Sequence, residues 1–479
     1  MTLSGESQKA KSYFFCGIGG SGMLPLAMIL KGQGAEVSGS DRAYDQGRSP
    51  EKFDYLKSQG FKLFPQDGSG LKDKDQILVA SAAVEDTVPD VAAALKLGCT
   101  RLGRAELLSS LFNAAPKSIG VAGTSGKSTT TGMIGWILSD LGYDPTVMNG
   151  AVMKNFVSPD ALFASALVGK GGIFVSEVDE SDGSIARYNP TVALINNIAL
   201  DHKTMDELRE LFEGFARRSD VAILNDENEE TRLLNEKLLG HGEEMGHPCV
   251  SFSLEDPMSE FTASDIEPGP TSISFRAQMS DESQKMAFVT LQMPGVHNVY
   301  NALAAIAAVT RVGVSFDDAC KSIERFTGIR RRFDIVGTSE AGVTVIDDFG
   351  HNPDKIGATL RTLHDFDGRL LVMFQPHGFG PLRKMRDEFT ETFVQGLNDE
   401  DILIMPQPVY FGGTVDRSVT SEDIVRRVKV NSKNAEVFMT REECGDRLVE
   451  LAQPGDRIIV MGARDDTLSD FAAGVLARV

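Results

Sequence analysis

Short apolar runs alternate with amphipathic stretches of helical length along almost the whole chain, and this alternation constrains the fold more than any other feature. The runs with strand character are Tyr13–Ile18, Gln76–Ala80, Ser118–Ala122, Ile173–Val178, Val192–Asn196, Val221–Asn225, Val343–Asp347, Arg369–Phe374, Asp401–Met405 and Arg457–Gly462. Strands that alternate with helices form crossover connections, which build parallel sheets covered by helices on both faces. The sequence therefore predicts an α/β fold.

The pattern restarts at two places, which divides the 479 residues into three predicted domains. Residues 113–117 carry a proline just before a new strand-like run, and residues 326–333 form a basic, glycine-containing hinge before another. Between residues 256 and 287 the sequence turns polar and alternating, which predicts further β-structure on the middle domain. The predicted domains cover residues 1–115, 116–328 and 329–479.

The composition argues against several classes of protein. The formal net charge of −20 disfavours binding to nucleic acid or acidic lipid, which requires clustered cationic side chains. No stretch approaches the roughly 18 consecutive apolar residues of a membrane-spanning helix, and residues 1–11 lack the apolar core of a signal peptide. The five cysteines are scattered without C-x-x-C spacing, which argues against disulfides and zinc. We expect a cytoplasmic protein that neither inserts into membranes nor binds nucleic acid.

A glycine-rich turn follows the first strand-like run. Residues 17–22 fit the pattern G-x-G-x-x-G and precede a predicted helix at residues 23–32, so their backbone amides could bind a diphosphate. Asp41 ends the next strand, where an acid could reach a ribose or a base. Alone, this pattern favours an NAD-dependent enzyme, and a tight turn that binds nothing is the alternative.

A second phosphate loop lies at residues 123–130, between the strand-like run 118–122 and an amphipathic helix. Strand, glycine loop and helix N-terminus form the geometry that wraps a triphosphate, in which Lys127 contacts the β- and γ-phosphates and Ser128 binds Mg²⁺. The loop departs from the strict pattern because Val121 replaces its first glycine. Its context still predicts an ATP site, and a second nucleotide site weakens the interpretation of the first as an NAD site.

Acidic side chains follow two further strand-like runs. Glu177 ends one run and leads into Asp179–Asp182, and carboxylates beside a phosphate loop suit Mg²⁺. Asp201 and His202 follow the run at residues 192–196, where the histidine could orient on a metal or a phosphate. A solvated acidic loop and a structural histidine are the alternatives for these two groups.

Together these motifs resemble the Mur ligase family, and within it the branch that joins UDP-N-acetylmuramate to L-alanine. The matching strings are Gly17–Met23, Ser38–Asp41, Ala122–Thr131, Glu177–Asp182, Asn197 with Asp201 and His202, Pro294–Ala305, Phe326–Phe333, Asp347–Pro353 and Phe374–His377. They occur in one order over nearly the whole chain, and on this basis the chain is identified as a member of the family.

The resemblance implies a Rossmann-like N-terminal domain for the UDP-sugar, a central P-loop ATPase domain, and a Rossmann-like C-terminal domain that brings the amine. It implies ATP and Mg²⁺ as cofactors, and UDP-N-acetylmuramate and an amino acid or short peptide as partners. The implied ATP-binding residues are Gly123, Thr124, Gly126, Lys127, Ser128, Thr129, Asn298, Asn301, Arg332 and Asp348. The implied metal ligands are Ser128, Glu177 and His202. The implied UDP-sugar site consists of Gly19, Gly20, Ser21, Gly22, Asp41 and Arg104.

The implied reaction phosphorylates a carboxylate with ATP and gives an acyl phosphate that an amine attacks. Both reactants of the first step are anionic, so the site needs positive charge. His351 and His377 would face the amine, and His351 or a carboxylate would accept its proton. The implied catalytic residues are Lys127, Glu177, His202, Arg332 and His351.

Several positions depart from the L-alanine branch. Ser125 stands where the branch usually has histidine, Phe349 and Asn352 replace tyrosine and histidine, and Pro381 replaces arginine. The last three positions face the amine in the family, so a ligase that joins UDP-N-acetylmuramate to a cell-wall tripeptide is an alternative. An NAD-dependent dehydrogenase and a nucleotide-binding protein without turnover are alternatives from other classes.

Overall fold

Sheets built mainly from parallel strands form the framework of the chain. The computed structural model describes residues 11–81, 84–200, 203–240, 246–280, 284–409, 416–463, 465 and 467–479. Within these residues the strands form three sheets, which occupy successive parts of the sequence. Helices separate most of the parallel strands, so the predicted α/β class is confirmed.

The first sheet follows the order of a dinucleotide-binding fold. Its elements are β1 (Ser12–Cys16), α1 (Met23–Gly32), β2 (Glu36–Ser40), α2 (Arg42–Asp45), α3 (Pro50–Ser58), β3 (Lys62–Phe64), β4 (Ile77–Ala80), α4 (Pro89–Leu97), β5 (Thr100–Gly103) and α5 (Arg104–Asn113). The strands lie in the order β3-β2-β1-β4-β5, and every pair is parallel. The glycine turn after β1 therefore lies where the strand order reverses, which is where such sheets bind ligands.

The second sheet has ten strands and contains the phosphate loop. Its elements are β6 (Lys117–Ala122), α6 (Lys127–Asp140), β7 (Thr146–Met148), β8 (Ala166–Leu167), β9 (Ile173–Glu177), β10 (Val192–Ile195), α7 (Met205–Arg217), β11 (Val221–Asn225), α8 (Glu229–Leu239), β12 (Cys249–Ser253), β13 (Phe261–Pro268), β14 (Ile273–Met279), β15 (Lys285–Leu291), α9 (Val296–Thr310) and α10 (Phe316–Ile323), with short 3₁₀ helices at Lys154–Phe156 and Ser184–Arg187. The order is β15-β14-β13-β12-β11-β10-β6-β9-β7-β8. The β-structure predicted between residues 256 and 287 is confirmed, because β13, β14 and β15 extend this sheet.

The third sheet is parallel except at one edge. Its elements are β16 (Asp334–Thr338), β17 (Thr344–Asp348), α11 (Pro353–His364), β18 (Leu370–Gln375), α12 (Phe379–Lys384), α13 (Arg386–Gly396), β19 (Ile402–Pro406), α14 (Ser421–Val430), β20 (Asn434–Phe438), α15 (Arg441–Leu451), β21 (Arg457–Gly462) and α16 (Leu468–Leu476). The strands lie in the order β16-β17-β21-β18-β19-β20, and β16 pairs with β17 antiparallel. The remaining strands are parallel, as expected for a Rossmann-like sheet.

Contacts between residues divide the chain into two compact units. The first unit consists of Met1–Ile266, Ser274–Leu291 and Val296–Thr327, and the second of Glu267–Ile273, Gln292–Gly295 and Gly328–Val479. The limits of the three domains stay a prediction, since the first two sheets share one unit. None of the described helices is both long and apolar enough to cross a membrane.

An aromatic cluster joins the first two sheets inside the first unit. The ring of Phe112, on α5, lies 5.7 Å from that of Phe174 on β9 and 5.1 Å from that of Tyr188, measured between ring centroids. Both pairs are edge-to-face, an arrangement that adds to the gain from burying the rings. Phe112 is fully buried, so we infer that it anchors the first sheet to the second.

We predict that Phe112→Ala lowers the free energy of unfolding of the first unit by about 3–5 kcal/mol, because it leaves a cavity where two rings now pack. Urea denaturation followed by circular dichroism measures the loss. Phe288→Ala is the matched control, since that ring is 63% exposed and should change stability by only about 0.5 kcal/mol. Equal losses in both variants would contradict the proposed anchor.

Candidate functional site

Three neighbouring parallel strands end at the same edge of the second sheet and supply the candidate site. β6 lies between β9 and β10, with Val121 opposite Glu177 on one side and Ala122 opposite Ile195 on the other. The phosphate loop therefore begins beside Glu177 and beside the residues that follow β10. Val121, which replaces the first glycine of the strict pattern, is a buried strand residue, so the turn starts at Gly123.

Glycine is required at two positions of the phosphate loop. Gly123 and Gly126 have φ angles of 129° and 83°, which other residues rarely adopt. A Cβ on Gly126 would also lie 2.5 Å from Oδ1 of Asn301. Gly126 is the N-cap of α6 and has no side chain with which to cap it, so the first amides of the helix are available to an anion. The fit to a triphosphate is therefore good.

Asn197 holds the loop from the neighbouring strand. Its Oδ1 accepts a hydrogen bond from the amide of Ser125 at 2.9 Å, and its Nδ2 donates to the Ser125 carbonyl at 3.2 Å. The amide of Thr124 donates to the carbonyl of Asn197 at 3.1 Å. The Thr124 hydroxyl exchanges hydrogen bonds with the backbone of Ala199. Thr124, a predicted ATP residue, thus fixes the shape of the loop.

Lys127 begins α6 and folds over the loop. Its Nζ donates to the carbonyl oxygen of Gly123 at 2.5 Å and to Oε2 of Glu180 at 3.1 Å. The Lys127 side chain is 18% exposed and that of Glu180 is 5% exposed, so this ion pair is largely screened from water. The sequence predicted Lys127 as a phosphate ligand, whereas Glu180 was considered only as part of the acidic run Asp179–Asp182 and not as the partner of Lys127.

A short turn after β7 contacts two of the predicted metal ligands, Ser128 and Glu177. The amide of Gly150 donates to Oε1 of Glu177 at 2.9 Å, and Nδ2 of the preceding Asn149 donates to the carbonyl oxygen of Ser128 at 3.0 Å. Carboxylate and hydroxyl oxygens are hard donors, so Glu177 and Ser128 fit Mg²⁺. The third predicted ligand, His202, lies outside the described residues.

A directional chain of neutral side chains lies behind the loop. Nδ2 of Asn196 donates to Oγ1 of Thr130 at 3.0 Å, and that hydroxyl donates to Oδ1 of Asn301 at 3.2 Å. Nδ2 of Asn301 then donates to Oδ1 of Asn298 at 3.3 Å. Asn298 and Asn301 are buried on α9, so they connect that helix to the phosphate loop, and their contact with adenine stays a prediction. Ser128 and Thr129, on the first turn of α6, are also buried.

The loop after β9 carries acidic residues held in a fixed turn. Asp179 accepts a hydrogen bond from the amide of Ser181, and Asp182 from the amide of Ser184. Burial alone would raise the pKa of Asp179, but the hydrogen bonds from Ser181 and the charges of Lys127 and Arg104 outweigh it, so this pKa is lowered. The loop therefore concentrates negative charge beside Lys127.

Arg104, predicted to bind the UDP-sugar, lies between the acidic loop and the glycine turn. Its Nη2 is 3.4 Å from Oδ2 of Asp182. Its side chain also packs against Gly22, where a Cβ would lie 3.2 Å from the Arg104 Cδ. Arg104 thus brings the first glycine-rich segment and the acidic loop together within the first unit.

Asp41 has a structural part in the glycine turn. Its Oδ2 accepts a hydrogen bond from the amide of Gly19 at 2.9 Å, and its Oδ1 accepts one from the amide of Ala43 at 2.8 Å. The carboxylate thereby caps α2 and ties the turn to the end of β2. Gly20 continues the turn, since its carbonyl accepts from the amide of Met23. Contacts of Gly19, Gly20, Ser21, Gly22 and Asp41 with a UDP-sugar stay a prediction.

Two predicted ATP residues belong to the second unit. The guanidinium carbon of Arg332 lies 4.2 Å from the ring centroid of Phe349, and that of Arg331 lies 5.1 Å from it. Asp348 is buried, and its Oδ1 accepts from the amide of Phe333 at 2.9 Å while its Oδ2 accepts from Thr359 at 2.8 Å. Asp348 therefore fixes the segment that carries the arginines, and its contact with ribose stays a prediction.

The two predicted amine-binding histidines lie together in the second unit. The ring centroids of His351 and His377 are 5.7 Å apart. Nδ1 of His351 lies 2.9 Å from the carbonyl oxygen of Phe349, so we infer that Nδ1 carries the proton and donates it. Burial, together with nearby positive charge, lowers the pKa of His351 to about 4. Its imidazole is therefore neutral near pH 7.

Known proteins resemble this chain over nearly its whole length. Three family models match in order: the Mur ligase family catalytic domain at residues 12–115, the Mur ligase middle domain at residues 121–309, and the Mur ligase glutamate ligase domain at residues 331–464. The chain is 31% identical to the UDP-N-acetylmuramate–L-alanine ligase of Sulfurihydrogenibium sp. (strain YO3AOP1), over 98% of this chain and 99% of that one. It is 34% identical to the enzyme of the same name from Synechococcus sp. (strain JA-3-3Ab), over 95% and 84% of the two chains.

Solved structures show the same architecture. The crystal structure of UDP-N-acetylmuramate-alanine ligase from Thermotoga maritima is 25% identical, covers 98% of each chain and has a TM-score of 0.77. A murein peptide ligase from Psychrobacter arcticus 273-4 is 23% identical, covers 98% and 99% of the two chains and has a TM-score of 0.70, which is a likeness of fold. With three domain models in order and relatives matched over nearly their full length, this chain belongs to the Mur ligase family.

Proposed function

We propose that this ligase joins the carboxylate of UDP-N-acetylmuramate to the amino group of L-alanine, and converts ATP to ADP and phosphate. The observation that carries the proposal is the convergence of the phosphate loop, Glu177 and Asn197 at the ends of β6, β9 and β10. This arrangement binds a triphosphate beside hard metal ligands. The relatives matched over most of this chain have names that state the same reaction.

The first step transfers a phosphoryl group. A carboxylate oxygen of the sugar substrate attacks the γ-phosphorus of ATP, the bond to the β–γ bridging oxygen breaks, and ADP leaves with that electron pair. Both reactants are anionic, so the step needs positive charge close to the transferred group. Lys127 supplies it from the N-terminus of α6, while the loop amides orient the phosphates. Ser128 and Glu177 would hold Mg²⁺, which supplies further positive charge to the phosphate oxygens when bound.

The second step forms the amide bond. The amine of L-alanine attacks the acyl carbon, and phosphate leaves with the electrons of the carbon–oxygen bond while the amine loses a proton. We propose that His351 and His377 bind the amine, and that Arg332 and Asp348 act on ATP as the resemblance implies. Because the His351 imidazole is neutral at pH 7, its Nε2 can accept a hydrogen bond from the amine without first losing a proton.

We place the reaction in the cytoplasm, with a UDP-sugar and an amino acid as partners. All five cysteines are free thiols, as is usual in a reducing compartment. Burial raises the pKa of Cys16 and Cys249 to about 11, which keeps these thiols protonated and unreactive.

We predict that Lys127→Ala lowers ATP-dependent phosphate release by about a thousandfold or more, because the transferred phosphoryl group loses its side-chain cation. Binding of UDP-N-acetylmuramate, measured by calorimetry, should be nearly unchanged, since the glycine turn belongs to the first sheet. Lys237→Ala is the matched control, as this lysine is exposed and pairs with Glu213 on the surface of the same sheet region. Full turnover in Lys127→Ala would contradict the proposed site.

We predict that L-alanine is the preferred acceptor. Phosphate release with UDP-N-acetylmuramate and ATP should be at least about tenfold faster with L-alanine than with glycine, L-serine or a cell-wall tripeptide. A pocket that fits one small side chain discriminates against a different one by about that factor in rate. The tripeptide is included because Phe349, Asn352 and Pro381 depart from the residues that are usual in the L-alanine branch. Turnover with the tripeptide and not with L-alanine would establish the alternative ligase.

We predict that the His351 resonance titrates with a midpoint near pH 4, well below its ordinary value of 6.5, in ¹H–¹³C NMR of the whole protein. As the pH falls from 6.5 towards 4, the unfolded chain takes up a proton that the folded protein does not, so this part of the stability is lost on acidification. The resonance that is absent from the spectrum of His351→Gln belongs to His351. This variant should not show the part of the stability loss on acidification that comes from His351. A midpoint at or above 6.5 would show that the ring is solvated and would remove the argument for a neutral acceptor.

A further inference from the structure

Glu180 contacts the phosphate-loop lysine, and the proposed reaction assigns it no step. It lies in the turn after β9, and its carboxylate is 3.1 Å from the Nζ of Lys127. Its side chain is almost fully buried, unlike most carboxylates in pairs on protein surfaces. A buried ion pair at this place has a direct effect on the charge that a triphosphate meets.

The backbone fixes the position of Glu180. The amide of Gly183 donates to the carbonyl of Glu180 at 3.1 Å, and the amide of Ile185 donates to the carbonyl of Asp179 at 3.2 Å. The amide of Ser181 donates to the Asp179 carboxylate at 2.9 Å. Hydrogen bonds thus hold the backbone of the turn on both sides of Glu180, and the side chain extends from it, buried, to the ammonium group of Lys127.

The charges around the loop do not favour an unaccompanied triphosphate. Lys127 is the sole charged residue between positions 123 and 130 of the sequence. The groups described above comprise two cations, Lys127 and Arg104, and four carboxylates, Glu177, Asp179, Glu180 and Asp182. Of these carboxylates, Glu180 is the one in contact with Lys127. It offsets the charge of the lysine where a γ-phosphate would need it.

We infer that Glu180 competes with the triphosphate for Lys127 and thereby makes ATP binding depend on a divalent cation. Free ATP would have to share Lys127 with a buried carboxylate, at a cost in electrostatic free energy. A cation bound to the phosphates reduces that cost, so the metal complex is accepted and free ATP is disfavoured. This inference rests on the proposed ATP site and assigns Glu180 as a positioning residue for Lys127.

Glu180→Gln tests the inference, because it keeps the size and a hydrogen-bond acceptor but removes the charge. Calorimetry measures the Kd of ATP in two buffers, one with EDTA and one with excess Mg²⁺. In EDTA the Glu180→Gln variant should bind ATP about tenfold more tightly than the wild-type protein. A change of about tenfold in Kd is the effect expected from removing one close charge. With Mg²⁺ the gain should be about threefold or less, since the cation already offsets the carboxylate.

Asp182→Asn is the matched control. It removes the same charge from the same turn, but its carboxylate pairs with Arg104 and not with Lys127. Its Kd for free ATP should change by about twofold or less, because exposed pairs contribute little. If Glu180→Gln does not fold, as judged by its thermal transition, Glu180→Asp retracts the carboxylate by one methylene and should tighten free-ATP binding by about threefold.

The outcomes separate the inference from the proposed function. If the unchanged protein binds MgATP while Glu180→Gln leaves the Kd of free ATP unchanged, the inference is wrong and the ATP site stands. If Glu180→Gln weakens MgATP binding, Glu180 assists the metal and the inference is overturned. If the unchanged protein binds no nucleotide even with Mg²⁺, the proposed function itself fails.

Discussion

The parallel pairing of β6 with β9 on one side and β10 on the other is the constraint on which the candidate site depends. Backbone hydrogen bonds set the register that places Glu177 opposite Val121 and Ile195 opposite Ala122. A slip of one residue in either pair would turn every side chain of that strand to the other face of the sheet. The loop, the acidic turn and Asn197 therefore lie together before any of their side chains make contact.

The same principle explains what the sequence could predict. All ten strand-like runs coincide with strands to within two residues, because the apolar pattern of a buried parallel strand is local. The positions of Lys127, Ser128 and Glu177 at one edge followed from the ends of those runs. Strands of two or three residues, such as β7 and β8, are too short to leave a pattern, although β7 leads into Asn149 and Gly150 beside Glu177.

Contacts between distant residues account for what the sequence could not predict. Glu180 and Lys127 are 53 positions apart, and Thr130 and Asn301 are 171 positions apart. No periodic pattern relates such pairs, so the partner of Lys127 and the chain behind the loop became visible only in three dimensions. For Asp41, the sequence predicted the position at the end of β2, but it did not predict the two hydrogen bonds that the side chain accepts from backbone amides.

Two of the departures from the L-alanine branch have local explanations. Asn352 is the N-cap of α11, and its side chain accepts a hydrogen bond from the amide of Lys355, a role for which asparagine is well suited. Phe349 packs against the guanidinium groups of Arg331 and Arg332 with the face of its ring, a contact that requires no hydroxyl group. Both substitutions are thus compatible with the fold of the second unit.

The chain of side chains from Asn196 through Thr130 and Asn301 to Asn298 contains amides and a hydroxyl but no ionisable group. Neither dissolved salt nor acidity acts on it directly, whereas the pair of Lys127 and Glu180 responds to its electrostatic surroundings. The neutral hydrogen-bonded chain thus supports the shape of the phosphate loop, whereas Lys127 and Glu180 determine its charge. Evolution can therefore adjust how strongly this loop attracts nucleotides without having to rebuild the scaffold beneath it.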